Sequence, residues 1–392
     1  MKILLVTETF PPDINGVAMT LSRLADELSA RGHDLLVLRP GKPEAHSGTG
    51  KSWKETMVWG LRIPGYPEAR IGLTSRWSLI RLLRRWKPDL AHIATEGPLG
   101  WMALRACEHE RCPVISSFHT NFHEYTRHYK VSFLERLVEH YLCSFHNRTQ
   151  ANLAPDQGLI ERLEKAGFRN NCYFGRGVDT VLFSPEKRDP ALRGEWGVGE
   201  GDSVILHVSR VAAEKNIPFV LGTYRQFRAQ YPGLKMVVVG DGPERRRLRK
   251  QYPEVIFTGM KMGEELARHY ASADFFFFAS ETETFGNVIT ESLASGLVVL
   301  AYDYAAGRQF IRTGVNGFTV PLGDARDFQA CAANLLSKRG GEYLAEVRAA
   351  ARRTALQIPW STTVDRYEAI VRSVLDLEPK PVCDTLDMAP AD

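Results

Sequence analysis

The amino-acid sequence predicts an α/β protein with two doubly wound, Rossmann-like domains. Short apolar runs alternate with amphipathic helical patterns, and this alternation is typical of parallel sheets that are covered on both faces. The alternation occurs twice, before and after a segment rich in proline, glycine and charge at residues 184–201, which we predict to be a linker. A chain of 392 residues is long enough for two domains, each with its own core.

The first domain is predicted at residues 1–183. Its first strand is the apolar run KILLVT, and residues 16–31 follow as an amphipathic helix that ends at Gly32. Three further runs of strand length are DLLVL, DLAHIA and PVISSF. Helical periodicity predicts more helices at residues 75–86, 99–110, 132–146 and 157–165.

The second domain is predicted at residues 202–359. Its strands are the apolar runs SVILHVS, LKMVVVG, EVIFTG, DFFFFAS and LVVLAY, and helices begin after Asn216 and after Pro243. The chain is helical again after Gly340, and its last amphipathic helix lies within residues 360–377. Residues 378–392 contain three prolines and no periodic pattern, so we expect them to be disordered.

Composition narrows the class of protein. An apolar content of 44% and a charged content of 24% are those of an ordinary soluble protein. With 50 basic and 46 acidic residues the net charge is +4, which argues against a general nucleic-acid binder. No apolar run approaches the roughly 20 residues that span a bilayer, and the N-terminal run becomes polar too early for a signal peptide. The six cysteines are scattered and none stands at zinc-site spacing, so we expect reduced thiols in the cytoplasm.

The stretch ETETFGNVITESLASG, residues 281–296, is the most informative part of the chain. It follows the buried strand DFFFFAS and places Glu283 in a polar loop, Gly286 at a hinge and Glu291 in a short helix. A strand that enters a helix through a glycine exposes backbone N–H groups that suit a phosphate, and carboxylates beside a phosphate suit sugar hydroxyls. The stretch therefore predicts a nucleotide-sugar site. The alternative is that Glu291 is a surface residue of the helix and Glu283 a charge favoured by the dipole at the helix start, because a bare pair at this spacing is common by chance.

Two cations form a second candidate group. Arg210 and Lys215 lie in SRVAAEKNIP, between an apolar strand and a helix. The strand ends of open α/β sheets are where ligands bind, and a guanidinium with an ammonium can neutralise a diphosphate. The alternative is that both side chains are solvated loop charges.

Histidines at positions 119, 123 and 128 follow the strand VISSF. His119 and His123 could share a face only in a helix, and no glutamate stands where a helical zinc-protease motif requires one, so we expect no metal site. A buried, structural His119 is the alternative to a role in the site.

These blocks resemble the retaining GT-B glycosyltransferases of family four. MKILLVTETFPPDINGV is similar to the family's N-terminal strand and glycine loop, SSFHTNFH to its histidine segment, and GRGVDTVLFSP to its domain-joining signature. HVSRVAAEKNI is similar to its diphosphate clamp, VVVGDGPE and FTGMK to its base-pocket loops, and residues 281–296 to its two-glutamate signature. The blocks occur in family order across about residues 2–320. The resemblance implies two Rossmann-like domains that face each other across a cleft, with the C-terminal helix crossing back to the first domain.

The resemblance also implies roles for individual residues. The catalytic group would be His119, Arg210, Lys215 and Glu283, in which His119 orients the donor sugar and is not a nucleophile. Glu283 would accept hydrogen bonds from the donor sugar and Glu291 from the ribose. The nucleotide sugar would be bound by Gly16, Arg210, Lys215, Gly259, Met260, Glu283, Phe285, Gly286, Asn287, Val288 and Glu291.

The glycine loop of the first domain departs from the family. Two adjacent glycines are usual where this chain has Asn15 and Gly16. We expect the loop to close all the same, because asparagine tolerates unusual backbone angles. Asp13, in the same loop, is a candidate contact to the acceptor, together with His119.

The reaction that the resemblance implies is transfer of a hexose from a nucleotide-diphosphate sugar, with retention of anomeric configuration. Arg210 and Lys215 would do the work that a metal ion does in other transferases, so we expect no essential metal and no cofactor. TEGPLGW, SSFHTNFH and RGVDT most resemble the branch of mannosyl- and sulfoquinovosyl-transferases with lipid acceptors. GDP-mannose is therefore the first expected donor and UDP-linked hexoses the second. The expected acceptor is a sugar or a membrane glycolipid.

A basic segment suggests contact with a membrane. Between Arg70 and Lys87 the chain combines six basic side chains with Trp77 and Trp86, which suits an anionic lipid surface. The alternative is an ordinary packed helix with its arginines in water. A second basic run, ERRRLRK at residues 244–250, is interpreted as a solvated helix face. We expect a cytoplasmic enzyme with peripheral binding to the inner face of the membrane.

Other functions fit the sequence less well. A nicotinamide dehydrogenase needs G-x-G-x-x-G after a strand, whereas the first strand leads to TETFPPDING and VVVGDGPE lacks the third glycine. A nucleic-acid binder would rely on the arginine helices and would bind duplex DNA in a salt-sensitive way; we expect no nucleic-acid partner. A non-catalytic sugar or lipid binder with the GT-B fold remains the alternative to an enzyme.

Overall fold

The structure, a computed structural model, describes residues 1–13, 15–41, 53–63, 66–119 and 132–376. The chain folds into two compact units: residues 1–176 with the residues from 361 onward, and residues 177–360. The tail predicted at residues 378–392 lies outside the described residues, as do His123 and His128. Among the helices of the described part, none is both long and apolar enough to cross a lipid bilayer.

An eight-stranded sheet forms the centre of the first unit, in the order β4-β3-β2-β1-β5-β6-β7-β8. All neighbouring strands are parallel except the hairpin of β3 and β4. The strands are β1 (Lys2–Val6), β2 (Asp34–Gly41), β3 (Lys54–Ile63), β4 (Tyr66–Leu73), β5 (Leu90–Ile93), β6 (Val114–Ser117), β7 (Ala151–Ala154) and β8 (Asn171–Tyr173). The helices are α1 (Gly16–Ala30), α2 (Arg76–Trp86), α3 (Pro98–Glu110), α4 (Ser132–His146) and α5 (Gln157–Lys165).

The second unit has a six-stranded parallel sheet, in the order β11-β10-β9-β12-β13-β14. Its strands are β9 (Ser203–Val208), β10 (Leu234–Val239), β11 (Ile256–Gly259), β12 (Phe275–Phe278), β13 (Val298–Tyr302) and β14 (Phe318–Val320). Its helices are α6 (Pro190–Glu195), α7 (Ile217–Arg228), α8 (Arg245–Gln251), α9 (Gly263–Ala271), α10 (Asn287–Ala294), α11 (Ala306–Phe310), α12 (Ala325–Ser337) and α13 (Glu342–Leu356).

Alternating side chains of β1 place it between two apolar layers. Ile3 and Leu5 pack with α1 on one face of the sheet, whereas Leu4 and Val6 pack with α2 and α3 on the other. The last helix, α14 (Trp360–Val374), joins the first of these layers through buried residues that include Tyr367. This packing explains why the C-terminal helix belongs to the first unit although it follows the second in sequence.

The glycine loop closes at Asn15 through a side-chain hydrogen bond and not through the unusual backbone angles that we expected from the sequence. The Asn15 backbone is extended, with φ −151° and ψ 165°, so no unusual angle is needed. Its side-chain oxygen accepts hydrogen bonds from the backbone N–H groups of Val17 and Ala18, at 3.1 and 2.9 Å. Asparagine therefore replaces a glycine here as the N-cap of α1.

Residues 184–201, predicted to be a linker, are part of the second unit. They contain a 3₁₀ turn at Pro185–Lys187 and the helix α6. Arg188 and Arg193 both bind the Asp274 carboxylate, at 2.9 and 3.1 Å, and backbone carbonyls next to it. The charges that made the segment look like a linker are the groups that hold it against the start of β12.

Candidate active site

The strand order of the second unit fixes where a ligand can bind. Strands β9 and β12 are neighbours, but the chain continues from β9 to β10 on one side and from β12 to β13 on the other. The crevice outside the carboxyl ends of two such strands is the binding site of doubly wound sheets. The segments that follow these strands are residues 209–216 and 279–286, which carry the two predicted motifs.

The structure brings these two motifs into contact. The Lys215 ammonium donates a hydrogen bond of 2.6 Å to Glu283 Oε1, although the residues are 68 apart in sequence. The Thr282 hydroxyl donates to the carbonyl of Glu214 at 3.3 Å. The side chains of Lys215 and Glu283 are only 18% and 15% exposed, so the pair is partly shielded from water. A cation and a carboxylate are therefore fixed side by side at the topological switch point.

Arg210 also has an acidic partner. Its guanidinium donates to the carboxylate of Glu214, and about half of the Arg210 side chain is exposed. Burial raises the pKa of Glu214, but a hydrogen bond from its own backbone N–H and the bond and charge of Arg210 outweigh burial, so the pKa lies below the ordinary value. Glu214 is thus a carboxylate at neutral pH. Sequence reasoning missed it, although it stands next to Lys215 in the quoted block.

Helix α10 begins at this crevice. Gly286 precedes it with φ +91°, in the left-handed region that favours glycine. A Cβ built there would have its nearest neighbour at 3.7 Å, so backbone conformation and not space requires the glycine. Because glycine offers no capping side chain, the backbone N–H groups of the first turn can serve an anion. Asn287 and Val288 form this turn.

Glu291, the second glutamate of the signature, lies in α10 and is partly buried. Burial raises its pKa to about 7, and the hydroxyl of Tyr270, which donates to Oε2 at 2.8 Å, acts in the opposite direction. No charged side chain of the described residues shifts this pKa appreciably. Tyr270 is the second residue that sequence reasoning missed. It lies on the apolar face of the amphipathic helix α9, so its pattern predicts a core residue.

The other residues predicted to bind the nucleotide sugar differ in which of their atoms a ligand could contact. Phe285 is buried and packs edge-on against Phe310 at 5.9 Å, so only its backbone can serve a ligand. Gly259 ends β11 with φ +80°, and Met260 beyond it is 44% exposed. Gly240 N–H donates to the Gly259 carbonyl at 2.8 Å. The two loops predicted to form a base pocket therefore lie at the same edge of the sheet as Lys215 and Glu283.

Close packing of backbone explains the glycines of VVVGDGPE. A Cβ on Gly240 would lie 1.9 Å from the Ser209 carbonyl oxygen, and one on Gly242 would lie 2.4 Å from that of Val211. The loop after β10 thus rests directly on the loop after β9, and hydrogen bonds from Val211 and Glu244 join the two. These glycines position the Arg210 loop and do not form a dinucleotide fingerprint.

The first unit has its own switch point, between β1 and β5. Asp13 lies in the loop after β1, where its Oδ2 accepts from the Phe10 N–H and the Thr9 hydroxyl, both at 3.3 Å. Gly16 is the exposed first residue of α1 and has no left-handed backbone. Asp13 is therefore held within its loop. Space is open around Gly16, but the Asn15 side chain already accepts from the first N–H groups of α1.

Glu8 is a third residue that sequence reasoning missed, although it stands in the quoted N-terminal block. Its carboxylate accepts from the N–H of Leu99 at 3.1 Å, at the start of α3. A Cβ on Gly97 would fall 1.7 Å from Glu8 Oε2, so the glycine makes room for the carboxylate. Burial raises the pKa of Glu8 more than the hydrogen bonds from Leu99 and Gly72 lower it.

His119 is 9% exposed and both of its ring nitrogens are engaged. Nε2 lies 2.7 Å from the Ser117 hydroxyl, and Arg176 donates to Nδ1 at 3.3 Å. Burial, reinforced by the charge of Arg176, lowers the pKa of His119 well below its ordinary value. The imidazole is therefore neutral, and a polar contact to a sugar would require it to exchange one of these partners.

The basic segment forms strand β4 and helix α2, and the helix has two faces. Leu79, Ile80 and Leu83 are buried, as in an ordinary packed helix. The other face exposes Trp77, at 66%, and several arginines. An open groove of about 410 Å³ lies between α2 and the β3–β4 hairpin, lined by apolar side chains and rimmed by Arg81 and Arg85.

Comparison with known proteins bears on the family of the chain and not on its individual site residues. The family model described as Glycosyltransferase Family 4 matches residues 14–182, and the model described as Glycosyl transferases group 1 matches residues 202–338. A GDP-mannose-dependent alpha-mannosyltransferase of Corynebacterium glutamicum is 32% identical over 335 residues, 85% of this chain and 80% of the relative. An alpha-monoglucosyldiacylglycerol synthase of Streptococcus pneumoniae is 29% identical and covers 77% of this chain and 71% of its own length.

Solved structures confirm the predicted fold class. The Anabaena protein HepE in complex with UDP superposes with a TM-score of 0.76 at 19% identity, over 95% of this chain and 100% of that one. At this identity the likeness concerns the fold alone, which is two Rossmann-like units of the GT-B type.

Proposed function

This chain belongs to family 4 of the glycosyltransferases, and from that premise we propose that it is a retaining, metal-independent hexosyltransferase with GDP-mannose as donor. The observation that carries the proposal is the contact between Lys215 and Glu283, 2.6 Å apart at the switch point of the second unit. A cation for a diphosphate and an acceptor for sugar hydroxyls stand together there, beside the glycine-led start of α10.

The donor diphosphate would be held by charge and by backbone. Arg210 and Lys215 offer a planar fork and a mobile ammonium, and the first turn of α10 offers N–H groups with the positive end of its dipole. Both cations have carboxylate partners, Glu214 and Glu283. A diphosphate would take over these cations and leave Glu283 to accept hydrogen bonds from the donor sugar.

The chemistry follows from where charge develops. Cleavage of the anomeric bond places negative charge on the leaving diphosphate oxygen, and one fixed donor at such an oxygen is typically worth about 3–4 kcal/mol. The side chains of Arg210 and Lys215 would supply this stabilisation in place of a divalent cation. We propose front-face attack by the acceptor hydroxyl, whose proton passes to the departing phosphate, so that the anomeric configuration is retained.

The choice of donor rests on relatives and not on geometry. The Corynebacterium relative is named as GDP-mannose-dependent, and 80% of its length is matched here. The base-pocket residues Gly259 and Met260 present backbone and an exposed thioether, which do not by themselves distinguish guanine from uracil. UDP-linked hexoses are therefore the competing donors.

The acceptor is proposed to be a glycolipid, reached by peripheral binding to a membrane. The Streptococcus relative is named for a lipid product. The exposed face of α2 combines Trp77 with Arg81 and Arg85, a combination that suits an anionic lipid surface.

A panel of nucleotide sugars tests the proposal. Purified protein is mixed with GDP-mannose, GDP-glucose, UDP-glucose, UDP-galactose or UDP-N-acetylglucosamine, in the presence of a membrane lipid extract, and release of nucleoside diphosphate is measured. GDP-mannose is expected to give the highest rate and a mannosylated lipid whose new linkage is α. A UDP sugar as best donor would overturn the donor assignment, and a β-linked product would overturn retention.

A further inference from the structure

A single buried hydroxyl anchors the carboxylate of Glu291. Tyr270 lies on α9 with its side chain fully buried, edge-on to Phe183 at 5.5 Å and tilted against Phe276 at 5.9 Å. Its hydroxyl donates to Glu291 Oε2 at 2.8 Å. For Oε1 the described residues provide no hydrogen-bond partner. One carboxylate oxygen is thus fixed and the other is left to accept.

We propose that Tyr270 is a positioning residue for the nucleotide sugar: it holds Glu291 by one oxygen so that the other accepts hydrogen bonds from the ribose hydroxyls. This inference rests on the proposed function, in which Glu291 is the ribose contact. Tyr270 does not touch the ligand and acts through Glu291. The contacts of its ring with Phe183 and Phe276 fix where the hydroxyl lies.

The chemistry of the pair favours a tyrosine here. Burial, reinforced by the charge of Glu291, raises the pKa of Tyr270 well above its ordinary value, so its hydroxyl stays a donor throughout the neutral range. Burial raises the pKa of Glu291 to about 7, and the Tyr270 hydrogen bond restrains that rise. Loss of the hydroxyl would therefore favour the protonated acid, which offers the ribose a poorer acceptor.

The other ionisable groups near α10 are engaged elsewhere. On α13, Arg348 and Arg352 donate to the carbonyls of Gly296 and Ala294, at the far end of α10. On α11, Arg308 pairs with Asp303 at 3.3 Å. On β13, Tyr302 packs in the apolar layer of the opposite sheet face. On α9, Arg268 pairs with Asp189 and His269 binds the Glu265 carbonyl.

Calorimetric titration with GDP and UDP between about pH 6 and pH 9 tests the inference. For wild type, the dissociation constant should rise about tenfold per pH unit below about pH 7, because a required carboxylate takes up a proton. Tyr270→Phe should move this midpoint to higher pH and weaken binding about tenfold at pH 7, since hydrogen bonds to charged groups are the strong ones. The dissociation constants of the two proteins should become more similar at about pH 9, where Glu291 is ionised in both.

Two further variants separate positioning from general packing. Tyr224→Phe removes another fully buried hydroxyl of the same unit, which donates to the Leu234 carbonyl at 3.3 Å, and should leave the midpoint unchanged. Glu291→Gln should bind weakly at every pH, and adding Tyr270→Phe to it should bring little further loss.

Three results would overturn the inference. They are a wild-type affinity that does not change with pH, a Tyr270→Phe midpoint equal to that of wild type, and an undiminished effect of Tyr270→Phe in the Glu291→Gln background. The first result needs no variant, so the inference stays testable even if Tyr270→Phe does not fold. A wild type that binds neither nucleotide at any pH would instead overturn the proposed function.

Discussion

At the scale of single residues, both cations of the site have acidic partners within the protein. Arg210 pairs with Glu214, and Lys215 with Glu283. Exposed ion pairs contribute only about 0–1 kcal/mol to stability, so a diphosphate can displace the carboxylate of Glu214 at little cost. Glu214 holds Arg210 within the loop after β9, whereas Glu283 ties Lys215 to the loop after β12.

Glu291 allows a prediction about stability and pH. Its pKa of about 7 in the folded chain lies above the ordinary value of about 4.3, so over this interval the folded protein keeps a proton that the unfolded chain has lost. Stability therefore falls as pH rises through the interval and stays lower above it. Glu291→Gln removes the ionisation, and we expect it to be more stable than wild type by about 3 kcal/mol at pH 8 and by only about 1 kcal/mol near pH 5.

Urea denaturation of both proteins at the two pH values measures this difference. Glu200→Gln, at an exposed position of the same unit, is the control and should match wild type at both. A Glu291→Gln protein no more stable than wild type at pH 8 would contradict the buried, ionisable state of Glu291.

The sequence identified residues whose function is indicated by the motif around them, and it could not identify contacts between distant motifs. Lys215 and Glu283 each stand in a recognisable block, but their contact across 68 residues follows from strand order, which no local pattern encodes. Glu8 and Tyr270 were missed because one looked like part of a loop and the other like part of a core. The engagement of both nitrogens of His119 depends on Arg176, 57 residues away.

At the scale of elements, the start of α10 gives a matched pair of glycine variants. Gly286 has φ +91°, and alanine there should cost about 1–2 kcal/mol of stability and weaken nucleotide binding, because the left-handed backbone is strained for any side chain. Gly222 lies inside α7 with open space around it, so alanine there should stabilise by up to about 1 kcal/mol and leave binding unchanged.

Urea denaturation and GDP titration of both alanine variants check this pair. If Gly286→Ala were as stable as wild type and bound GDP equally well, the start of α10 would not be the phosphate-binding site.

Helix α2 gives a second prediction at this scale. Reversing two charges at its exposed face, with Arg81→Glu and Arg85→Glu, should abolish flotation with vesicles that contain anionic lipid, because electrostatic attraction supplies much of peripheral binding. Wild type should float with anionic vesicles and not with neutral ones. Arg246→Glu with Arg249→Glu, on the exposed face of α8, is matched in charge and should still float. Wild type that floats with neither kind of vesicle would end the membrane proposal.

Elements with a strong period were predicted well, and short or marginal ones were not. Helices α3, α4 and α5 lie within a residue of their predicted limits, because each carries two or more turns of amphipathic pattern. Strands β7 (ANLA) and β8 (NCY) were missed because they carry few large apolar side chains, whereas β12 (FFFF), also of four residues, shows as an apolar run. The β3–β4 hairpin was missed because β4 lies at the edge of the sheet and the two strands mix polar and apolar residues without a regular alternation.

At the scale of the whole molecule, each unit has a switch point with its own chemistry. The second unit gathers cations, a helix start and two glutamates between β9 and β12. The first unit gathers carboxylates, Glu8 and Asp13, between β1 and β5. The two switch points therefore differ in charge: the second unit presents cations and carboxylates, and the first unit presents carboxylates.

The central claim is that the side chains of Arg210 and Lys215 stabilise the leaving diphosphate without a metal ion. Release of GDP from GDP-mannose, with a lipid acceptor and excess EDTA, tests it for wild type, Lys215→Ala and Lys187→Ala. Lys187 is a matched control, because it forms an ion pair of 2.7 Å with Glu264 in the same unit. Wild type and Lys187→Ala should keep their full rates in EDTA, and Lys215→Ala should be slower by about 100- to 1,000-fold. A wild-type rate that collapses in EDTA, or a Lys215→Ala rate equal to wild type, would contradict the account.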